Sequence, residues 1–509
     1  MGTKSKGIHA SNRTLVVLIC ILSVTLVALL ILGASLGQNV PNTDASGDPI
    51  MGSNPPSDEP TDEPTAPTET LPPPTETDPT EPPAPTLPVT PSGGNYVDVG
   101  YGNIAEIIQL NAETFSGQTL DDYSCPTNNY LPKGTMDYYK IVTSQDGKIS
   151  YVLLRSGQRI YLTRKIYPPV QHVDVTKQYQ GTLPDHNEIR VDSLETVDNH
   201  SILTLDCLWN APFYLEIGPQ KYAAPNAGSK RDFNISSLTV TYVDITFCYA
   251  TAFTGDITIP ANHPLFKSAE VIQNESDYTL RLRLRKTGGF YGWDAYYNEA
   301  GQLCFRFLNP AKAKASDNFY GADLTGVKIM LDVGHGGLDG GAVKKDATGK
   351  EWTESTLNMM LSKLLKTELE SMGAAVTLIR TSDVNLDTDA RVETLVNAAP
   401  DLCVAIHQNV YEPDSKVSGF DSMFFTPFSQ LAAKKIYDQT VKTEIYAKNH
   451  LRWNVYFTCR QSVCPVVLTE NGYMTNPADM AGMINEGTLA AKAQAIAQGV
   501  ADYFLSINK

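Results

Sequence analysis

The chain has 509 residues, a length that allows roughly two to four domains. Its formal net charge of -16 excludes nucleic acid as a partner, because phosphate binding takes basic patches. Eight cysteines are too sparse for a disulfide scaffold, and no C-x-x-C pair offers a thiolate zinc site. Cys459 and Cys464 lie close enough to pair, but small buried hydrophobes are the simpler account of the cysteines after Cys20.

Residues 1–13 carry Lys4, Lys6 and Arg13 and no acid, and residues 14–37 are almost wholly apolar and uncharged. The run is longer than the apolar core of a cleaved signal peptide and long enough to span a bilayer. It predicts a single-pass signal anchor at the cell membrane, with residues 1–13 as a cytoplasmic tail and the rest exported. Residues 38–95 follow as a linker. From residue 41 on they hold half of the chain's 32 prolines and no Lys or Arg. Repeated acid-Pro-Thr units cannot bury an apolar face and predict an extended disordered stalk, on the order of 150 Å in reach.

Residues 96–318 read as a β-rich extracytoplasmic region of one module or of two that divide near 175–185. Short alternating runs recur at Tyr138–Val142, Ile149–Leu154, Ile202–Cys207, Leu238–Ile245, Tyr278–Leu284 and Leu303–Phe307, separated by turn signals. Residues 131–135 and 151–157 bear a loose likeness to small wall-binding β-barrels of the bacterial SH3 kind. Tyr291, Trp293, Tyr296 and Tyr297 form either a sugar-stacking platform or, more commonly for such clusters, a core or edge patch.

From residue 326 to 509 strands alternate with helices, which predicts an α/β domain with a mostly parallel sheet flanked by helices on both faces. Lys328–Val333 is a strand, Thr353–Met372 a helix stopped by Gly373, Ala375–Ile379 a strand, and Asp389–Ala399 a helix ended by Pro400. Leu402–Ile406 is an apolar run ending at His407. Met423–Thr426 is read as a strand, Gln430–Ala447 as a helix, Asn454–Thr458 and Pro465–Leu468 as strands, and Leu489–Leu505 as the last helix.

One stretch organises this domain. Val327–Val343 is a strand followed by a glycine-dense turn that carries His335, where open α/β sheets place their ligand sites. His407 closes a second strand and Glu470 follows a third, so all three groups lie toward one edge of a parallel sheet. Glu354, in the first turn of the helix after the His335 loop, returns to the same edge. Each has a plain structural account alone: a turn histidine, a buried histidine, a helix N-terminal acid, a paired acid. Together, two histidines and a carboxylate are a ligand set suited to catalytic zinc, and a separate carboxylate suits proton transfer.

Four segments then resemble the zinc-dependent N-acetylmuramoyl-L-alanine amidases of bacterial cell walls (type 3 catalytic domain). They are Leu331–Ala342 (L-D-V-G-H-G-G-L-D-G-G-A), Thr353–Leu365, Val376–His407 with Asn409, and Val466–Asp479 (V-V-L-T-E-N-G-Y-M-T-N-P-A-D). The resemblance implies that His335, Glu354 and His407 bind Zn2+ and that Glu470 is the catalytic acid/base. It implies hydrolysis of the amide between N-acetylmuramic acid and L-alanine of peptidoglycan, with the catalytic domain facing the wall. Val333 replaces the family's usual proline, Gln408 a usual small residue, and the loop before Glu354 is longer than usual. That length makes Glu351 a competing ligand, although Asn358 and the apolar spacing behind Glu354 favour the latter. Arg380 and Arg391 match family positions without an assigned role. Two other readings stand beside this one: a non-catalytic wall-binding or scaffold protein that keeps the fold, and another zinc amidase or peptidase acting on wall peptides.

Overall fold

Alternation of buried and exposed side chains sets the architecture of the middle region. The computed structural model describes residues 107–508, apart from 111–113, 117–128, 144–148, 165–169, 172–175, 179–181, 220–237, 276, 446 and 455. The apolar run at 14–37 and the Pro/Thr/acid stretch lie outside these residues. Among the described residues, no helix is long and apolar enough to cross a membrane.

A first antiparallel sheet has the strand order Val170–Gln171, Arg159–Arg164, Ile149–Leu154, Met136–Thr143, Ile107–Leu110, Thr176–Gln178. Two further sheets follow. One orders Ala250–Thr254, Asn187–Val197, His200–Cys207, Leu303–Leu308 and Trp293–Tyr297; the other orders Phe213–Gly218, Tyr242–Phe247, Tyr278–Leu284 and Phe266–Gln273. Every second residue of Tyr242–Phe247 is buried, as a half-buried strand requires. These residues meet as a sandwich whose centre is aromatic: Phe213 lies edge-on to Phe305 at 4.7 Å, and Phe266 to Phe307 at 5.2 Å. Trp293 and Tyr291 are buried in this core, and Tyr296 and Tyr297 are half-buried, so the aromatic cluster is packing and no open platform for sugars.

The C-terminal sheet has six strands: β1 (Lys328–Val333), β2 (Ala375–Leu378), β3 (Leu402–Asn409), β4 (Phe420–Phe424), β5 (Lys448–Trp453) and β6 (Val466–Tyr473). Their order is β2-β1-β3-β6-β4-β5. All neighbours run parallel except β4 and β6, so the sheet is mixed. The exception has a cause. Only residues 410–419 join β3 to β4, too few for a crossover helix, so the chain turns back.

Five helices complete the domain: α1 (Glu354–Ser371), α2 (Thr388–Ala398), α3 (Gln430–Lys442), α4 (Pro477–Ile484) and α5 (Glu486–Ile507). Leu361, Leu365 and Leu369 of α1, Ala433 and Ile436 of α3, and Ile496, Val500 and Phe504 of α5 cover one face of the sheet. The other face departs from the sequence reading. Beside α2 it is covered by the β-sandwich: Met330, Cys403 and Val466 share one apolar cluster with Phe290 and Trp293. The helix expected over 430–447 stops at Lys442, because Glu444 turns left-handed (φ 57°) and 448–453 is claimed as a strand by parallel pairing with β4. Of the strand expected at 454–458, residue 455 lies outside the described residues and the chain enters a 3-10 turn at Thr458–Arg460. Cys459 and Cys464 are buried free thiols.

Candidate metal centre

The site begins where β1 ends. Arg380 donates to the carbonyls of Val333 (Nε, 3.0 Å) and Gly334 (Nη2, 2.9 Å), and Arg391 donates to those of Val333 (2.9 Å) and His335 (2.7 Å). Arg391 is in turn held by the buried carboxylate of Asp332. These two arginines, left without a role by the sequence, fix the turn that presents His335. The turn is tight: His335 has φ 58°, uncommon for a side-chain-bearing residue. A Cβ on Gly334 would lie 2.4 Å from Cε1 of His407, and one on Gly341 (φ 65°) would lie 2.8 Å from Oε2 of Glu354. Only glycine lets the loop approach this closely.

Glu354 opens α1 just after the cap Thr353, whose hydroxyl accepts from the Thr356 amide. Its own amide donates to Ala342 O at 2.8 Å, fastening helix start to loop end. The carboxylate is buried and fully engaged. Oε1 accepts from His407 Nδ1 (2.9 Å) and the Gln408 amide (3.2 Å), while Oε2 accepts from the Ala342 amide (3.2 Å) and faces His335 Nε2 at 3.2 Å. Asn358, one turn on, donates to Gly334 O at 3.2 Å. His335 uses its other nitrogen on Asp339 at 2.8 Å, an orienting contact common behind metal-binding imidazoles.

His335, Glu354 and His407 thus each offer one ligand atom, all within 4.8 Å of one another. The donor set, two imidazoles and one carboxylate, fits zinc. Glu351 is exposed on the hairpin before α1, with Lys345 at 3.8 Å, and is apart from this group. The electrostatics match a site built for positive charge. Burial pulls the His335 imidazolium down, but the carboxylates of Glu354 and Asp339 outweigh it and push it up to about 9. Burial works to raise the Glu354 carboxyl, yet hydrogen bonds from His335 and His407 hold it well below the usual carboxylate range.

Glu470 lies in mid-strand, because β6 runs on to Tyr473 instead of stopping before it. It is the register partner of His407 on β3 and of Asp421 on β4, so the three side chains share one face. Its Oε2 is buried without a hydrogen-bond partner among the described residues. Burial first, then the negative charges of Glu354 and Asp421, push its carboxyl well above the ordinary range, partly offset by Arg452. Asp421 and Arg452 carried no signal in the sequence; only strand register brings them here.

Two imidazoles and a carboxylate gathered at the strand ends of such a sheet form a donor set that fits a divalent metal. Residues 329–502 match the family model described as N-acetylmuramoyl-L-alanine amidase. The chain is 29% identical over 197 residues to the probable cell wall amidase LytH of Staphylococcus epidermidis, covering 39% of this chain and 64% of the relative. It is 29% identical over 185 residues to the sporulation-specific N-acetylmuramoyl-L-alanine amidase of Bacillus subtilis, covering 35% and 68%. Among solved structures it is similar to the catalytic domain of CwlV, an amidase from Bacillus (Paenibacillus) polymyxa var. colistinus, at 26% identity and TM-score 0.33, covering 36% of this chain and 99% of that one. The chain spans less than two thirds of the length of the staphylococcal relatives.

Proposed function

We propose that the protein is a peptidoglycan hydrolase that cleaves the amide between N-acetylmuramic acid and the L-alanine of the stem peptide. The observation that carries this is the meeting of His335, Glu354 and His407 within 4.8 Å, with Glu470 on the neighbouring strand beside His407. A zinc ion would be held by those three residues. When bound it supplies Lewis acidity, which eases the ionisation of water and polarises a carbonyl.

The chain's own groups do the rest. Asp339 holds His335 in one orientation, and Arg380 and Arg391 hold its loop. Glu470 takes the proton of the attacking water and returns it to the departing amine of L-alanine. The site is poised for a cation: two imidazoles now hydrogen-bonded to one carboxylate would exchange those bonds for a shared ion. On this reading the N-terminal apolar run tethers the chain in the cell membrane, and the Pro/Thr/acid stretch lets the catalytic domain reach the wall.

The direct test is mass spectrometry of purified muropeptides digested with and without chelator. Chelator-sensitive release of the peptide with a free L-alanine amine supports the reading; cleavage elsewhere in the peptide makes it a wall peptidase, and no cleavage with zinc bound makes it a scaffold. His335→Ala is expected to abolish stoichiometric zinc binding in equilibrium dialysis, because two donors and a gap do not replace three. Asp421→Asn addresses Glu470. Its raised carboxyl must be ionised to accept a proton, so the rate falls as pH drops through that raised value. Removing the Asp421 charge lowers it, and the acid limb of kcat/KM moves to lower pH. A limb that stays in place in a folded variant separates Asp421 from the chemistry.

A further inference from the structure

The row that carries His407, Glu470 and Asp421 continues onto β5. Arg452 pairs in register with Met423, two residues beyond Asp421, and therefore stands on the same face. Asp421 is completely buried. Its Oδ2 accepts from Asn449 Nδ2 (3.0 Å), Tyr473 OH (3.0 Å), Asn409 Nδ2 (3.4 Å) and Arg452 Nη2 (3.1 Å). Its Oδ1 accepts from the His450 amide at 2.8 Å and lies 3.3 Å from His450 Nδ1.

Asp421 is therefore satisfied without Arg452, yet Arg452 is not satisfied by Asp421. A guanidinium has five N–H donors in a planar fork. Among the described residues this one spends a single donor, and its Nε is buried with no partner. An unmet donor of this kind costs free energy and calls for a reason. Two orphans, Arg452 Nε and Glu470 Oε2, occupy the same polar row. Arg452 keeps 12% of its side chain exposed, and the neighbouring His450 keeps 46%, so the row opens to solvent on this side.

The reaction gives the row a direction. Glu470 stands between the His335–Glu354–His407 cluster and Arg452 in strand order, β3-β6-β4-β5. The amine that Glu470 protonates belongs to the peptide half of the substrate. That half must leave on the Glu470 side, toward β4 and β5. One residue past L-alanine, a peptidoglycan stem carries an α-carboxyl that is either free or amidated. A guanidinium fork matches a free carboxylate in two parallel hydrogen bonds and has no such match with an amide.

We infer that Arg452, oriented by Asp421, is a substrate-binding residue that takes the free α-carboxylate of the second stem residue and so sets which wall chemistry is cut. This rests on the amidase reading above. The experiment uses the full chain, zinc and three synthetic muramoyl tripeptides: one with all carboxyls free, one amidated only at the second-residue α-carboxyl, and one amidated only at the peptide C-terminus. The wild type is expected to prefer the free substrate over the second-residue amide by about tenfold or more in kcat/KM, through KM. It is expected to treat the C-terminal amide like the free substrate. In Arg452→Gln the ratio collapses toward one, and in Arg452→Lys, which keeps the charge but not the fork, it is partly restored.

Equal kcat/KM on all three substrates by the wild type overturns the inference whatever the variants do. So does a preference that follows the C-terminal carboxyl, or a preference that survives in folded Arg452→Gln while overall activity falls. If the wild type cuts none of the three at the lactyl–alanine amide, the amidase reading itself fails, which is a different result from cleavage without preference.

Discussion

Glu470→Gln is expected to lower turnover by about a hundred- to ten-thousandfold while leaving zinc binding intact. The carboxylate is outside the group of three ligand atoms, so its loss removes no metal donor. A carboxamide of the same shape cannot accept the proton of the attacking water. The variant also has a stability signature that separates a functional acid from a structural one. Burial raises the folded-state pKa of Glu470 above its unfolded value. Between those two values the folded chain binds more protons than the unfolded chain, so stability falls as pH rises. Above the unfolded value this buried carboxyl therefore costs stability, and glutamine removes that cost. Metal-free Glu470→Gln should melt higher than wild type at neutral pH, and the two should converge below pH about 4, where both side chains are neutral. A variant that is both slower and less stable at neutral pH would mean that Glu470 holds the fold together through contacts other than those described. Full activity in the variant would remove Glu470 from the mechanism.

Much of this site was legible because its residues sit at places where local sequence is most informative. Glycines around His335 mark a tight turn after a strand, and the Thr353-Glu354 pair marks a helix start. An apolar run before His407 marks a buried strand. What the sequence hid is everything that depends on register across non-neighbouring strands. Asp421 and Arg452 lie on segments whose strand bounds were placed late or missed: β4 begins at Phe420, before the expected start, and β5 falls between the helix expected to end at 447 and the strand expected from 454. No periodicity within one segment says that Asp421 pairs with Glu470, 49 positions on. The arginines 380 and 391 were visible as matching letters, but their work is done on backbone carbonyls, which leave no mark in a sequence. Likewise the second cover of the sheet, the β-sandwich, comes from a region whose alternating runs said only that it was β-rich.

That shared cover leads to the second large effect. A fragment beginning at Gly326 is expected to fail to fold cooperatively. It would present Met330, Cys403, Val466 and Phe428 to water, residues that are buried against Phe290 and Trp293 of the sandwich. The interface is also pinned by polar bonds: the Trp293 amide donates to Ser462 O at 2.7 Å, and the Ser462 hydroxyl donates to Trp293 O at 2.8 Å. Lys286 donates to Ile507 O at 2.9 Å, and Arg306 to Val396 O at 3.1 Å. The first of these pins holds the connection that runs from Thr458 to Ser462. Thr458 faces Asp332 at 3.4 Å, and Asp332 holds Arg391, which holds the carbonyl of His335. Loosening the sandwich therefore reaches the metal-binding turn through named bonds. In the intact chain, Trp293→Ala removes a fully buried side chain and should cost about 3–5 kcal/mol. The fragment should bind a hydrophobic dye, exchange its β3 amides quickly and hold zinc weakly, whereas residues 107–508 should melt in one transition that includes both parts. A fragment that melts cooperatively and binds zinc as tightly as the intact chain would show that the sandwich is a passenger and that the apolar face tolerates water.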